Sequence, residues 1–124
     1  MKKVEHIKIT KNMKVNDLIL AMGKAGVMQA GKLALAVDIL EEAIKDKDCK
    51  VFFGLAGAMV PGGMKQIIID LLEKKWIDIF VTTGATLTHD LGEGLGYSHY
   101  QGNERMDDAL LRKKGYDRIY DSLM

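Results

Sequence analysis

Two short apolar runs, residues 51–53 and 77–81, constrain the fold of this chain most strongly. The run at 51–53 is continuously apolar, as in a strand of a parallel sheet whose faces are both covered. Parallel strands need a crossover of about a dozen residues, and a helix supplies it. The sequence therefore predicts an α/β fold built on a right-handed βαβ unit. The apolar positions between the runs have helical spacing: Met64, Ile67, Ile68, Leu71 and Leu72.

Further helices are predicted on either side of this unit. Apolar spacing indicates a short helix at 15–22, interrupted by Gly23 and Gly26, and a longer amphipathic helix at 29–45. A short helix is expected near 106–113. We interpret residues 1–124 as one partial α/β domain with three parts: a helical segment 1–48, a βαβ cofactor-loop unit 49–95, and a helix and loop segment 96–124.

The predicted sheet lacks neighbours. Two strands leave both edges of a parallel sheet unpaired, whereas such sheets usually have several strands. An apolar cluster near residues 116–123 adds surface that needs a partner, and the end at Met124 looks cut off in mid-fold. We therefore expect the chain to be part of a larger α/β unit, or to dock tightly onto another chain.

Composition excludes several classes of partner. The chain carries 18 Lys and Arg against 17 Asp and Glu, so no overall field favours nucleic acid or an anionic membrane. No apolar stretch reaches the ~20 residues of a membrane span. The N-terminus does not have the pattern of a secretory signal. The single cysteine, Cys49, cannot form an intrachain disulfide, which agrees with a cytoplasmic location.

Two loops follow the predicted strands and form the main candidate site. The first, residues 54–63, is rich in glycine, yet it matches neither the GxGxxG nor the P-loop pattern. A tight strand-to-helix connection explains its glycines equally well. The second, residues 82–85, follows the next strand. Ligands of open α/β sheets bind outside the carboxyl ends of the strands, so the pair predicts a cofactor crevice without specifying the cofactor.

A group of ionisable side chains follows the second loop. On a helix, His89 and Glu93 would lie on one face and could bind a cation or move a proton. Glycines at 92, 94 and 96 weaken such a helix, and no set of zinc ligands has suitable spacing, so no metal site is predicted. His99 is interpreted as a solvated or hydrogen-bonded loop residue.

Together these segments resemble the N-terminal part of deoxyhypusine synthase. The resemblance runs from about residue 15 to the C-terminus and is carried by residues 29–30, 36–37, 53–63, 67–72, 77–84, 90–91 and 117–119. It implies a Rossmann-like, three-layer parallel fold assembled as a homotetramer. It also implies an NAD-dependent transferase that moves the aminobutyl group of spermidine onto one lysine of the hypusine-bearing translation initiation factor.

The resemblance assigns site residues by position. Thr88 and His89 fall where the family binds the polyamine, and His89 also contacts the cofactor. This chain has Gly57 and Ala58 where the family usually has Ser-Asn, and Thr88 and His89 where it usually has two acidic residues, which suggests an alternative amine substrate. The NAD-contacting positions are Gly57, Ala58, Met59, Val60, Pro61, Thr83, Gly84, Ala85 and His89.

The family is much longer than this chain, and its catalytic lysine lies in the C-terminal half. We therefore assign no catalytic residue here. Activity is expected only if a lysine-bearing C-terminal half, on a second chain or a missing segment, completes the fold in a homo- or hetero-oligomer. Two alternatives are a non-catalytic assembly or regulatory subunit and an inactive fragment.

Overall fold

The computed structural model describes residues 1–124 and has a mixed α/β architecture, as predicted. It divides into two compact units, Met1–Cys49 and Lys50–Met124. The first unit is helical, and the second contains all of the strands. We describe each unit by itself.

Two helices form the first unit, and both were predicted. Helix α1 covers Val15–Ala25 and α2 covers Met28–Lys45. Gly26 ends α1 with a φ of 67°, a left-handed conformation that glycine adopts at little cost, and its N–H donates to the Met22 carbonyl. The chain can therefore reverse between the helices within two residues, and Ala34 of α2 is buried.

No single helix of the chain is long and apolar enough to cross a membrane. Helices α1 and α2 meet the length and composition criteria only when taken together, and they are bent by 119° at the break between them.

The second unit begins with the predicted βαβ arrangement. Strand β1 (Phe52–Leu55) pairs in parallel with β2 (Ile79–Thr82), and α3 (Lys65–Glu73) connects them. The Phe53 and Phe80 rings stack at 6.1 Å between centroids on one face of the sheet. The opposite face carries Phe52 and Val81, which are 68% and 57% exposed. One face of the parallel sheet is therefore open.

Helix α4 covers Gly84–Gly94 without a break, although it includes Gly92 and Gly94, which have low helix propensity. An interaction from outside the helix stabilises it. Nζ of Lys65 in α3 lies 2.7 Å from Oδ1 of Asp90 and 3.2 Å from Oε2 of Glu93. These ion pairs hold two side chains of the last turns of α4, where the glycines lie.

The C-terminal part contains one predicted helix and a sheet that was not predicted. Helix α5 covers Asp108–Lys113. Strands β3 (Tyr100–Gln101), β4 (Arg118–Ile119) and β5 (Ser122–Leu123) form an antiparallel sheet in the order β3-β5-β4. The expected apolar cluster thus contributes to this sheet, in which Leu123 is buried.

The buried core is small for a chain of this length. Many large apolar side chains are exposed, and no large side chain is completely enclosed. A chain of this size ordinarily buries about two thirds of its unfolded surface. The apolar faces of both units are thus only partly covered within the chain. The buried hydrophobic residues are Ala34, Val60, Ile68, Leu111 and Leu123.

Candidate functional site

The two loops after the parallel strands meet at the carboxyl end of the sheet. Gly57 begins a short 3-10 turn, Gly57–Met59, which faces the start of α4. A Cβ atom at Gly57 would lie 2.5 Å from Cβ of Ala85 and 3.0 Å from Oγ1 of Thr83. Real Cβ atoms do not approach so closely, so the loops can touch only because residue 57 has no side chain. The predicted convergence of the two loops is confirmed.

A pair of threonine hydroxyls forms hydrogen bonds next to the contact between the two loops. Oγ1 of Thr82 lies 2.9 Å from the Leu55 carbonyl oxygen, to which it can donate, and 2.6 Å from Oγ1 of Thr86. Thr86 is only 5% exposed, so its hydroxyl depends on this partner. These bonds connect the ends of β1 and β2 to the first turn of α4.

The N-terminus of α4 offers free backbone donors. Thr83, which precedes the helix, makes no side-chain cap, and the N–H groups of Gly84 and Ala85 have no acceptor in the chain. A Cβ atom built on Gly84 would meet nothing within 4 Å. Helix N-termini of this kind bind phosphate groups through their N–H groups and their dipole. The arrangement therefore offers backbone N–H donors to an anionic group.

The remaining residues of the first loop differ in what they can offer a ligand. Val60 is 4% exposed, so its side chain belongs to the core, while Met59 is 40% exposed. The Ala58 carbonyl accepts from the Gly62 N–H, and the Met59 carbonyl accepts from the Met64 N–H. Contacts of this loop with a ligand would thus come mainly from backbone N–H groups and from the Met59 side chain.

Two histidines, His89 of α4 and His99 of the loop that follows, take part in a hydrogen-bonded chain. Nδ1 of His99 lies 2.8 Å from Oε1 of Glu93, and its Nε2 lies 3.1 Å from Nδ1 of His89. The imidazole rings meet edge to face, and the His99 side chain is only 7% exposed. His99 is therefore a hydrogen-bonded residue, one of the two interpretations drawn from the sequence.

The surroundings shift the pKa of three groups in this cluster. Burial, followed by the neighbouring His99, lowers the pKa of His89. The hydrogen bond from His99 lowers the pKa of Glu93, and hydrogen bonds with Asp90 and Glu93 raise the pKa of Lys65. Near neutral pH, Glu93 is thus a carboxylate, Lys65 is an ammonium group and His89 is mainly neutral.

His89 and Glu93 lie on one helix, as the spacing suggested, yet they do not bind each other directly. Glu93 binds His99 and Lys65 instead. No three His, Cys, Asp or Glu side chains are arranged to hold a metal ion. The Thr88 hydroxyl donates to the Gly84 carbonyl within α4, so toward a ligand it can act only as an acceptor.

A groove of about 470 Å³ connects the first loop with His99. Pro61 and Gly63 line it on one side, and His99 and Ser122 line it on another. Oγ of Ser122 is enclosed and has no hydrogen-bond partner in the chain. The groove therefore connects Pro61, a predicted cofactor-binding residue, with the Ser122 hydroxyl, which lacks a hydrogen-bond partner.

Sequence reasoning missed the roles of Lys65 and His99. The rest of α3, β2 and the first turns of α4 separate Lys65 from its partners in the sequence, and no spacing rule connects it to Asp90 and Glu93. His99 sits in a loop, where periodicity carries no information. The four-residue spacing of His89 and Glu93 was the one available signal for this cluster.

Comparison with known proteins identifies the family of the chain. The family model for deoxyhypusine synthase matches residues 17–124. A protein of Methanosarcina thermophila named "Probable deoxyhypusine synthase" is 46% identical over 118 residues, which cover 95% of this chain and 37% of the relative. A protein of Methanothermobacter thermautotrophicus with the same name is 42% identical over 118 residues, or 95% of this chain and 38% of the relative.

A bacterial relative gives the same result. The "Deoxyhypusine synthase-like protein" of Chlorobaculum tepidum is 41% identical over 120 residues, which cover 96% of this chain and 34% of the relative. The chain thus spans about a third of the length of the curated relatives that it matches. The match runs over most of this chain and agrees with the N-terminal resemblance noted in its sequence. The chain belongs to the deoxyhypusine synthase family.

Proposed function

We propose that this chain forms part of the NAD cradle of a deoxyhypusine synthase-like transferase. The reaction would move the aminobutyl group of spermidine onto a lysine of the hypusine-bearing translation initiation factor. Family membership and the names of the relatives support the reaction class. The open face of the β1–β2 sheet supports a Rossmann-like, three-layer fold that residues outside this chain complete, because that face carries exposed Phe52 and Val81.

The observation that carries the proposal is the contact of Gly57 with Ala85 beside the free N–H groups of α4. It brings both predicted cofactor loops to one edge of the sheet. In this proposal the pyrophosphate binds at Gly84 and Ala85, and the 3-10 turn contributes the wall opposite. The residues proposed to hold NAD are Gly57, Ala58, Met59, Val60, Pro61, Thr83, Gly84, Ala85 and His89, with Val60 acting through its backbone.

Bound NAD supplies a hydride acceptor for an amine carbon. The residues of this chain then bind and orient the amine. Nε2 of His89 has no partner in the chain and is not enclosed, so it can accept a hydrogen bond from an ammonium group. The Thr88 hydroxyl can accept another. His89 lies five residues beyond Gly84, about 7 Å along the helix axis, which separates the amine from the pyrophosphate.

The proposed activity requires residues that lie outside this chain. We expect the covalent step to use a lysine of the remaining part of the fold, whether that part continues this polypeptide or is a second chain. We expect the complete protein to be an oligomer, of the tetramer type implied by the resemblance. The cytoplasmic location also stays a prediction, based on the single cysteine.

A second candidate is a related protein that uses another amine or has lost catalysis. Two observations favour it. Ala58 has no polar side chain to offer a cofactor, and the carboxylates of Asp90 and Glu93 already bind Lys65, which reduces the negative charge available to a polyamine. Turnover of spermidine by the complete protein would favour the first candidate over the second.

Three glycine substitutions in the complete protein test the cradle. Gly57→Ala places a Cβ atom 2.5 Å from Ala85 and should push the loops apart, so it should lower both NAD affinity and thermal stability. Gly84→Ala places a Cβ atom in open space at the helix N-terminus, so it should lower affinity while stability is kept. Gly54→Ala also meets nothing within 4 Å but lies in β1, and serves as the control.

Calorimetric titration of NAD measures the affinities, and thermal unfolding measures the stabilities. We expect at least a tenfold loss of affinity for Gly57→Ala and Gly84→Ala, which corresponds to about 1.4 kcal/mol. Wild-type affinity in Gly84→Ala would contradict a cofactor site at this helix end. No NAD binding to the wild-type protein would contradict the cradle as a whole and favour the non-catalytic alternative.

A further inference from the structure

The hydrogen-bonded chain from Glu93 through His99 to His89 has a defined direction. Its two links are 2.8 Å and 3.1 Å long, which are ordinary hydrogen-bond distances. Each link needs one hydrogen atom, and each imidazole nitrogen either carries one or accepts one. The protonation of one end therefore decides the tautomer of both rings.

The Glu93 end determines this direction. Glutamate carboxylates are ordinarily ionised near neutral pH, and Nζ of Lys65 lies 3.2 Å from Oε2 of Glu93, so this carboxylate can only accept. Nδ1 of His99 must then carry a hydrogen. In a neutral His99 ring Nε2 is the acceptor, so Nδ1 of His89 must donate to it. The lone pair of the His89 ring is left on Nε2, the nitrogen without a partner in the chain.

Packing keeps His99 in place for this role. Its side chain is 7% exposed, so water competes little for its two ring nitrogens. It directly precedes Tyr100 in β3, whose pairing with Leu123 of β5 fixes the backbone. Two charged groups lie beside the hydrogen-bonded chain of Glu93, His99 and His89. Lys65 of α3 binds Glu93, and Asp90 of α4 binds Lys65.

We infer that Glu93 and His99 are positioning residues that hold His89 in the tautomer with a free Nε2, making it an acceptor for the N–H of a protonated amine. Its assignment to an amine rests on the proposed function, whereas the tautomer rests on the two hydrogen bonds together with a neutral His99 ring.

One other arrangement satisfies the same distances. A protonated His99 would donate from Nδ1 to Glu93 and from Nε2 to Nδ1 of His89. His89 would then carry its hydrogen on Nε2 and would present a donor instead of an acceptor. The two arrangements predict opposite tautomers of His89, so they can be distinguished directly.

Nitrogen NMR of the histidine rings makes this distinction. The complete protein is labelled with ¹⁵N in its histidines, and spectra are recorded at about pH 8, where ordinary histidines are neutral. Single substitutions assign the two signals. We expect a pyrrole-type Nδ1 and a pyridine-type Nε2 for both His89 and His99. A pyrrole-type Nε2 in His89 would overturn the inference.

Two alanine substitutions in α4 form a matched pair. Both Glu93→Ala and Asp90→Ala remove one carboxylate bound to Lys65, and alanine preserves helix propensity, but only Glu93 binds His99. Glu93→Ala should change the single tautomer of His89 into a mixture, whereas Asp90→Ala should retain it. A single, unchanged tautomer in Glu93→Ala would show that Glu93 does not position His89. The wild-type spectrum tests the tautomer even if Glu93→Ala fails to fold.

The ligand is tested separately, with spermidine as the probe. Addition of spermidine and NAD to the wild-type protein should shift the Nε2 signal of His89 and leave its Nδ1 signal nearly unchanged. If the tautomer is as inferred but spermidine leaves Nε2 unaffected, His89 is not an amine acceptor and that part of the inference fails. Failure of the proposed cofactor site would appear instead as a loss of NAD binding in the titrations described above.

Discussion

Thr82 connects three elements of the second unit through a single hydroxyl. It can donate to the Leu55 carbonyl at the end of β1 and lies 2.6 Å from the hydroxyl of Thr86 in α4. Thr86 is buried, so the loss of its partner would leave a polar atom without a hydrogen bond. Such a loss costs more than the bond itself contributes to stability.

Thr82→Val tests this connection because valine has the same shape and retains a preference for strands. We expect it to lower the free energy of unfolding by about 1–2 kcal/mol. Thr88→Val is the matched control: its hydroxyl is exposed and binds only within α4, so a change below about 0.5 kcal/mol is expected. Denaturant unfolding measures both, and an equal effect of the two substitutions would contradict the role of Thr82.

At the level of elements, the start of the parallel sheet is held by a side chain. Oδ2 of Asp78 accepts from the Val51 N–H, and its Oδ1 accepts from Nζ of Lys50. These two bonds lower the pKa of Asp78. Since the ionised form is favoured in the folded state, its contribution to stability is present above the unfolded-state pKa and is lost as the pH falls through the folded-state pKa.

Asp78→Ala should therefore lower the midpoint of thermal unfolding at pH 7 by roughly 2–5 °C, and the difference from wild type should shrink as the pH is lowered below the carboxyl pKa of unfolded chains. Asp48→Ala is the control, because its carboxylate makes no ion pair. Calorimetry across the pH range checks both variants. A deficit of Asp78→Ala that stayed constant down to acid pH would contradict the assigned cause.

The elements show where sequence reasoning succeeds. Helical spacing predicted α1, α2, α3 and α5, and the apolar runs predicted β1 and β2, because each pattern is local. The last turns of α4 were not predicted, because Gly92 and Gly94 have low helix propensity and the ion pairs of Lys65 with Asp90 and Glu93 join residues far apart in the sequence. Strands β3–β5 have two residues each, too few for an alternating pattern to appear.

The candidate site was likewise predicted only in part from the sequence. The meeting of the two loops follows from parallel topology, which places the ends of neighbouring strands at one edge. The contact of His99 with His89 depends on the pairing of Tyr100 with Leu123, a partner 23 residues later in the chain, and no local pattern reports it. Assignment of the cofactor to these loops stays a prediction for the titrations to decide.

At the scale of the whole molecule, apolar surface is the dominant feature. Phe52 and Val81 share the open face of the β1–β2 sheet, and α2 exposes Ile39 and Leu40 by more than half. Surfaces of this kind in a single chain mark sites of association. We expect this chain on its own to self-associate and to bind a hydrophobic dye.

The double substitution Phe52→Thr with Val81→Thr should reduce the dye fluorescence at least twofold and shift the sedimentation profile toward the monomer, because it removes apolar area from the open face. Leu95→Thr makes the same exchange at an exposed residue outside the sheet, and should have little effect. Sedimentation of the isolated wild-type chain as a monomer that binds no dye would contradict the expected association.

The Gly57–Ala85 contact also has a consequence for the order of folding. Its two residues are 28 positions apart, and everything between them belongs to the 3-10 turn, α3, β2, the first residue of α4 or their short connections. Closing so short a loop costs little entropy, and structure formed from nearby residues forms quickly. The edge of the sheet proposed to hold the dinucleotide can thus take shape as one of the first events of folding, before any long-range partner has arrived.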